Sequence, residues 1–506
     1  MIDKLHLSYL WDICKNNRYL LISIILFAIM IMHSLYGLWS GDFWEYSAVV
    51  RELSTHPLHP LHPLFIVNNS HPFFSPYLLL VALLARVGSL TSVDGLVIAG
   101  VFNLIFFLVS LRMFINCIFK KHHDAISFYS LIFILFMWSA QAWSWSGFFH
   151  FKILAFDLPY PSTFSIASIF FIFALYYQNL QSMSKVKYIL SIIFTAMVFL
   201  THPTTGIVAF IGIISISLHH YKSIGFKAVA SGLFLLLTAV FLVFLWPYYS
   251  FFELIKHNNH EFNAVSYTFY KNILLIWPTL ILTPFALPIF ISRFKNNRFD
   301  VLILMLFSTV SVYLVGFIFK EFGIGRIISF IAIFIQIALA AQLAHLEIAK
   351  TIGKSWSAFP TILYVIVIIS FNPANKTVLS RAHLGVQGKR YDYSGYNILK
   401  NNVKQYDVIL SDLSTSWIIP TFGGKVIASQ HPAHWIDDHN VRRQDLERFF
   451  SKEIKYSDKI AIIHHYQADY IFINRNMVEN YQSYYDFGNI VSEDKNFILI
   501  KIELND

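Results

Sequence analysis

Long apolar runs alternate with short polar, often basic, segments from Leu20 to Phe371. A helix needs roughly 20 apolar residues to cross the hydrocarbon core, and many of these runs reach that length. The pattern therefore predicts a polytopic helical membrane protein. The first run, Tyr19 to Trp39, is longer than a secretory h-region and lacks a small-residue cleavage site, so it reads as an uncleaved anchor. Lys4, Lys15 and Arg18 precede it and place the N-terminus inside. Gly41 then lies outside, and the basic loop "FKKHHD" at Phe119 to Asp124 should return to the inside. One net crossing, Gly95 to Phe119, separates the two points. Parity leaves Ser75 to Val87 as an outer helix, in-plane or re-entrant.

Further spans are expected near Ile126–Trp145, Ser162–Gln178, Tyr188–Leu200, Thr205–His219, Phe226–Trp246, Asn272–Ile291, Val301–Phe319, Ile327–Ala344 and Phe359–Ser370. That makes about 11–13 transmembrane helices. Every strongly basic loop falls inside. The stretch after the first span and the tail from Asn372 fall outside.

The tail changes period. Short β-like runs ("YDVILSD", "KVIAS", "DYIFIN", "FILIKI") are separated by helical stretches such as His439 to Phe450, which suggests a small α/β domain. The expected organisation is a transmembrane domain over 1–371, with a first outer loop at 40–93, and a soluble α/β domain over 372–506. The tail holds no GxGxxG, P-loop or triad motif, and the chain shows no internal repeat.

Composition fits this layout. The chain is 56% hydrophobic and 13% charged over 506 residues, outside the range of soluble domains. Its net charge of +9 follows from basic loops on one side of a membrane, so nucleic acid is not implied. Cys14 and Cys117 are the two cysteines. Both fall near inside ends of spans, which argues against a disulfide or a zinc site.

The first outer loop carries the candidate chemistry in "GDFWEYSAVVRELSTHPLHPLHPLF". Asp42 and Glu45 are three residues apart, so a helix starting there puts both carboxylates on one face. Phe43, Tyr46, Val50 and Leu53 form an apolar face suited to the membrane surface. Asp followed three residues later by Glu is also the pattern of a capping box, so the same residues admit a structural reading. The three-residue spacing of His56, His59 and His62 would align them along one edge of a polyproline II segment. With His71 they could bind a sugar or a metal, or stiffen a loop, and no zinc template matches.

The motif "GDFWEYSAVVREL" followed by "HPFFSPYLLLVALLARVG" resembles the GT-C glycosyltransferases, integral-membrane enzymes that use polyprenyl-phosphate-linked sugars. The outer segment "THPTTG" and the tail's "SDLSTSWIIPTFGGKVIASQHPAHWIDDHNVRRQDLERFF" resemble bacterial members. The acidic motif departs from the family's adjacent acids or Asp-x-Asp, being Asp-x-x-Glu. The resemblance implies a GT-C-like fold in a bacterial inner membrane, with the active site and tail on the periplasmic side. It further implies inverting sugar transfer to a glycan, lipid or protein acceptor. Asp42 would be the general base and Glu45 its companion. Arg326 in "KEFGIGRIISF" would bind the carrier phosphate, with Lys320 as second choice. His56, His59, His71, Asp157 and His202 would contact substrate. Some members need a divalent cation, magnesium or manganese, for which Asp42, Glu45 and Asp157 would be the oxygen donors. Two rival readings remain at this point. An O-antigen-type polymerase or ligase would rely on the loop Ile255 to Lys271. A transporter or flippase would usually show paired repeats or charges within its spans.

Overall fold

The computed structural model describes residues 17–252, 260–348, 373–430 and 435–503. Lys4, Cys14, Lys15, the predicted span at 359–370 and part of the loop at 255–271 lie outside the described residues. The helices in chain order are α1 (Arg18–Tyr36), α2 (Phe43–Thr55), α3 (Pro76–Val87), α4 (Ser92–Ile118), α5 (His123–Phe136), α6 (Phe151–Phe156), α7 (Pro161–Ser182) and α8 (Lys185–Thr201). They continue with α9 (Pro203–Ile224), α10 (Phe226–Phe244), α11 (His260–Ser266), α12 (Thr268–Lys271), α13 (Trp277–Asn296), α14 (Val301–Ile318), α15 (Ile328–Ile348) and α16 (Pro373–Val386).

Among the described residues, eight helical segments are long and apolar enough to cross a membrane. They fall on eight of the predicted spans. Two others are shorter: α8 has 17 residues and α5 has 14. Helix α5 stops at Phe136 because its last carbonyls find side-chain donors. The Trp138 indole donates to the Ile134 carbonyl at 2.7 Å, while Thr279 Oγ1 and Gln336 Nε2 donate to the Met137 carbonyl at 2.9 and 3.2 Å. Side chains from α13 and α15 thus satisfy backbone groups that a longer helix would have paired itself.

The chain forms two compact units. The first comprises Met1–Gly37, Ala99–Trp246 and Ser250–Lys389. In it α7 and α15 are central, with 89% of their apolar windows buried against 22% for Ile273–Asn296. Helix α5 packs on α15, and α7 packs on α8 and α9. Helix α16 lies along α1, and Gly385 permits this: a Cβ there would come 2.0 Å from the Met32 carbonyl oxygen.

The second unit comprises Leu38–Ile98, Pro247–Tyr249 and Arg390–Asp506. Its sheet has five strands in the order β2-β1-β3-β5-β4: β1 (Val408–Leu410), β2 (Lys425–Val426), β3 (Tyr470–Asn474), β4 (Gly488–Glu493) and β5 (Phe497–Ile502). Strand β1 runs parallel to β2 and β3, and β5 is antiparallel to β3 and β4. Alternation divides the central strands between two cores. Val408, Leu410, Ile471, Ile473, Ile498 and Ile500 pack with Leu446, Phe449, Ile462 and Ile463 of the tail helices. Ile409, Phe472 and Leu499 point the other way, onto Ala48, Leu64 and Phe65 of the segment that follows α1.

The structure therefore divides the chain differently from the expected 1–371 and 372–506. Helix α16 goes with the spans, and the segment Leu38–Ile98 goes with the tail. The cause is the sheet: strands apolar on both faces need cover on both. Helix α2 is buried on more than the one face expected: Trp44, Ala48 and Val49 are as buried as Phe43, Tyr46, Val50 and Leu53, with α3 packed along it.

Candidate active site

Asp42 begins α2 with helical backbone angles (φ −56°, ψ −13°) and makes no side-chain capping hydrogen bond. A capping residue would adopt extended angles and accept from the next turn, so the capping-box reading does not hold. Asp42 is half-buried, whereas Glu45 is fully buried. The Glu45 carboxylate lies 3.1 Å from His71 Nε2. His71 Nδ1 accepts the Phe73 N–H at 3.2 Å, which places the ring proton on Nε2, the nitrogen nearer the carboxylate. His62 is locked the same way, its Nδ1 accepting from Leu64 and Phe65 at 3.2 and 3.1 Å. The two imidazoles meet edge to face at 4.9 Å. Tyr46 packs on Phe73, and Trp39 stacks on Phe43 at 4.5 Å. The outcome is two acids in different surroundings, Glu45 held by His71 inside the unit and Asp42 nearer its surface.

The His-Pro run does not form one edge. His62 is buried, while His56 and His59 are exposed. His56 turns to a separate network, its Nδ1 lying 3.0 Å from the Tyr406 hydroxyl and 3.6 Å from Glu52. Sequence reasoning missed the centre of that network. Glu52 and Lys425 form a buried ion pair at 2.9 Å, and the ammonium also donates to the carbonyls of His62 and Pro63. Leu61 N–H, Gln405 and Tyr406 donate to Glu52 as well. Burial opposes the charge on Glu52, but the Lys425 charge and these hydrogen bonds outweigh it and hold the carboxyl below its ordinary range. The signal available in sequence was a charged residue at the start of a β-like run, in "KVIAS".

In the first unit, Arg326 lies in a tight turn, Phe322–Ile327. Its guanidinium sits over the Trp145 ring at 5.1 Å and the Phe269 ring at 6.0 Å. His202, between α8 and α9, places Nδ1 2.7 Å from Thr205 Oγ1. Burial, reinforced by the Arg326 charge, pushes its pKa down to about 3. Gly147 approaches the His202 ring closely, since a Cβ there would lie 3.3 Å from Cε1. Arg326, His202, Trp145 and Phe269 thus form a basic, aromatic cluster, of which the sequence indicated only the first two. Lys320 is exposed, and its carbonyl accepts from Asn263. Asp157 is buried at the end of α6. Its carbonyl accepts from Thr163 Oγ1 at 2.6 Å, and Tyr160 stands at the N-terminal end of α7 without a side-chain cap hydrogen bond.

Among the described residues, no three His, Cys, Asp or Glu side chains are grouped to hold a metal. Nδ1 of His62 and of His71 is already occupied by backbone N–H groups. Within the second unit, Asp42 and Glu45 with these occupied histidines do not supply the ligands of a resident divalent cation.

Among the described residues, eight membrane-length helices, a helix-bearing loop after the first of them and a small mixed sheet describe a polytopic helical membrane protein with an α/β region. Three solved structures of two proteins share this fold. The chain matches ArnT from Cupriavidus metallidurans in the apo state with a TM-score of 0.53 at 10% identity, covering 97% of this chain and 98% of that one. With ArnT bound to undecaprenyl phosphate the TM-score is 0.52 at 10% identity, over 95% and 97% of the two chains. The apo Archaeoglobus fulgidus oligosaccharyltransferase matches at 0.51 and 11% identity, over 91% of this chain and 70% of that one. No protein-family model matches the sequence, and no curated protein matches it by sequence.

Proposed function

We propose that the chain is a glycosyltransferase that moves a sugar from a polyprenyl-phosphate carrier to a cell-envelope glycan, lipid or protein acceptor on the outer face of a bacterial inner membrane. The fold supports the class, and ArnT was solved with such a carrier lipid. The observation that carries the reading is the state of the two acids: Asp42 is not spent on a helix cap, and Glu45 is fixed behind it by His71.

The acceptor hydroxyl attacks the anomeric carbon, forming the new C–O bond as the bond to the carrier phosphate breaks, with inversion. Asp42 takes the hydroxyl proton as general base. Glu45, held by His71, positions the acceptor. The leaving phosphate carries the electron pair and needs a fixed cation, for which Arg326 is assigned with Lys320 in reserve. His202, neutral beside Arg326, serves as a hydrogen-bonding group for substrate. The spans contain few charged residues, which disfavours a transporter.

Asp42→Asn tests the reading, because Asn keeps the side chain's shape and capping ability but cannot accept the proton. Transfer from a polyprenyl-phosphate-linked donor should fall by about 10²–10⁴-fold at unchanged expression, and Glu45→Gln should be milder. Wild-type transfer by Asp42→Asn would exclude Asp42 as the base and favour the polymerase or ligase reading.

A further inference from the structure

At the end of the first unit where the chain enters its first span, a groove of about 360 Å³ opens between α1 and α4. Leu20, Ile24 and Phe27 form one wall, and Ile105 and Val109 the other. Most of these side chains are well exposed, with Ile24 at 54% and Val109 at 51%, as expected for a surface facing lipid. What sets the groove apart is its polar end. The Tyr19 hydroxyl donates to the Leu108 carbonyl at 2.6 Å, tying the two helices together. Arg112 lies over the Tyr19 ring at 5.5 Å, reaches Asp124 of α5 at 3.0 Å and keeps a third of its side chain exposed. Asn116, one turn further along α4, completes that end.

We propose that this groove holds one acyl chain of an anionic phospholipid, with its phosphate against Arg112. Three observations favour that occupant. The wall from Tyr19 to Phe27 rises about 12 Å at 1.5 Å per residue, close to the half-thickness of about 15 Å that one leaflet's chains fill. The charge at the polar end is complementary to an anion: Arg112 keeps part of its side chain exposed beside its acidic partner, Asp124, and Arg18, next to Tyr19 in the chain, lies over Phe128 of α5. The guanidinium offers five N–H donors in a planar fork suited to phosphate, and one meets Asp124. The inference needs only that the chain lies in a membrane, so it stands apart from the transferase reading.

Native mass spectrometry of the detergent-purified full chain, incubated with equal phosphatidylglycerol and phosphatidylethanolamine, tests it. One phosphatidylglycerol should be retained in preference. Arg112→Gln should weaken retention about fivefold, the value of one basic residue near an anionic lipid phosphate. Because Arg112 also pairs with Asp124, Val109→Trp and Ile24→Trp provide the independent check. Each fills the groove from an exposed wall position, and each should abolish retention while sugar transfer persists. Equal retention of the two lipids would overturn the proposal. So would unchanged retention in both tryptophan variants, or displacement of phosphatidylglycerol by added polyprenyl phosphate.

Discussion

Asp42 and Glu45 share one turn of helix, yet their surroundings separate them, and His71 is one of the groups set against Glu45. Burying a carboxylate is costly, and the His71 Nε2 donor lies 3.1 Å from it. His71→Leu removes that donor and should destabilise the second unit by about 1–3 kcal/mol, read as a lower unfolding midpoint in detergent together with reduced transfer. His71→Gln places an amide N–H near the position of Nε2 and should recover most of both. Equal loss in the two variants would show that the ring's shape matters and not its proton. His202 is a different kind of residue. Held neutral above a pH of about 3, it is a hydrogen-bonding group rather than a counter-charge.

At the scale of elements, the tie between α2 and the sheet is the Glu52–Lys425 pair. Removing one partner of a buried pair leaves an uncompensated charge, costing about 3–5 kcal/mol, whereas replacing both is often near neutral. Lys425→Met alone should therefore unfold the second unit at a lower temperature, and adding Glu52→Gln should restore much of the loss. The pH dependence has a definite sign. The Glu52 carboxyl lies below its ordinary value when folded, so its contribution is fully present above the unfolded pKa of about 4.3. It is lost as pH falls through the lower folded value. Acid unfolding measured with and without Glu52→Gln checks it. The strands Val408–Leu410, Tyr470–Asn474 and Phe497–Ile502 were legible in sequence because their apolar runs are short and bounded by polar residues. Strand β4, "GNIVSE", was not: it is an exposed edge with one apolar pair. Helix α16, "PANKTVLSRAHLGV", reads as tail because it is polar, and its packing along α1, close at Gly385 against Met32, is a tertiary fact that its own sequence does not signal. Asp42, Glu45, His71 and Arg326 could be named from motif and topology. Their aromatic and histidine partners come from distant segments, which no local spacing reveals.

At the scale of the whole molecule, the grouping of segments 38–98 and 390–506 has a consequence that the expected division at 372 lacks. The sheet face carrying Ile409, Phe472 and Leu499 is covered by Ala48, Leu64 and Phe65, and these belong to a loop more than 300 residues earlier in the chain. A fragment beginning at Arg390 would expose that apolar face, and exposed patches of this kind drive association. It should therefore be recovered as an aggregate, or as a species lacking a cooperative thermal transition. The reciprocal truncation, ending at Lys389, uncovers α2 and strands Glu52 without Lys425. Limited proteolysis in membrane vesicles should then cut the His56–Phe65 loop, which the intact chain protects through the Lys425 bonds to His62 and Pro63. Co-expressing the two halves should bring back at least part of the protection, because the contact between Ala48, Leu64, Phe65 and the sheet is apolar. A soluble, cooperatively folding 390–506 fragment, together with an unchanged cleavage pattern in the truncated chain, would show instead that the tail is independent and that the first outer loop holds its own shape.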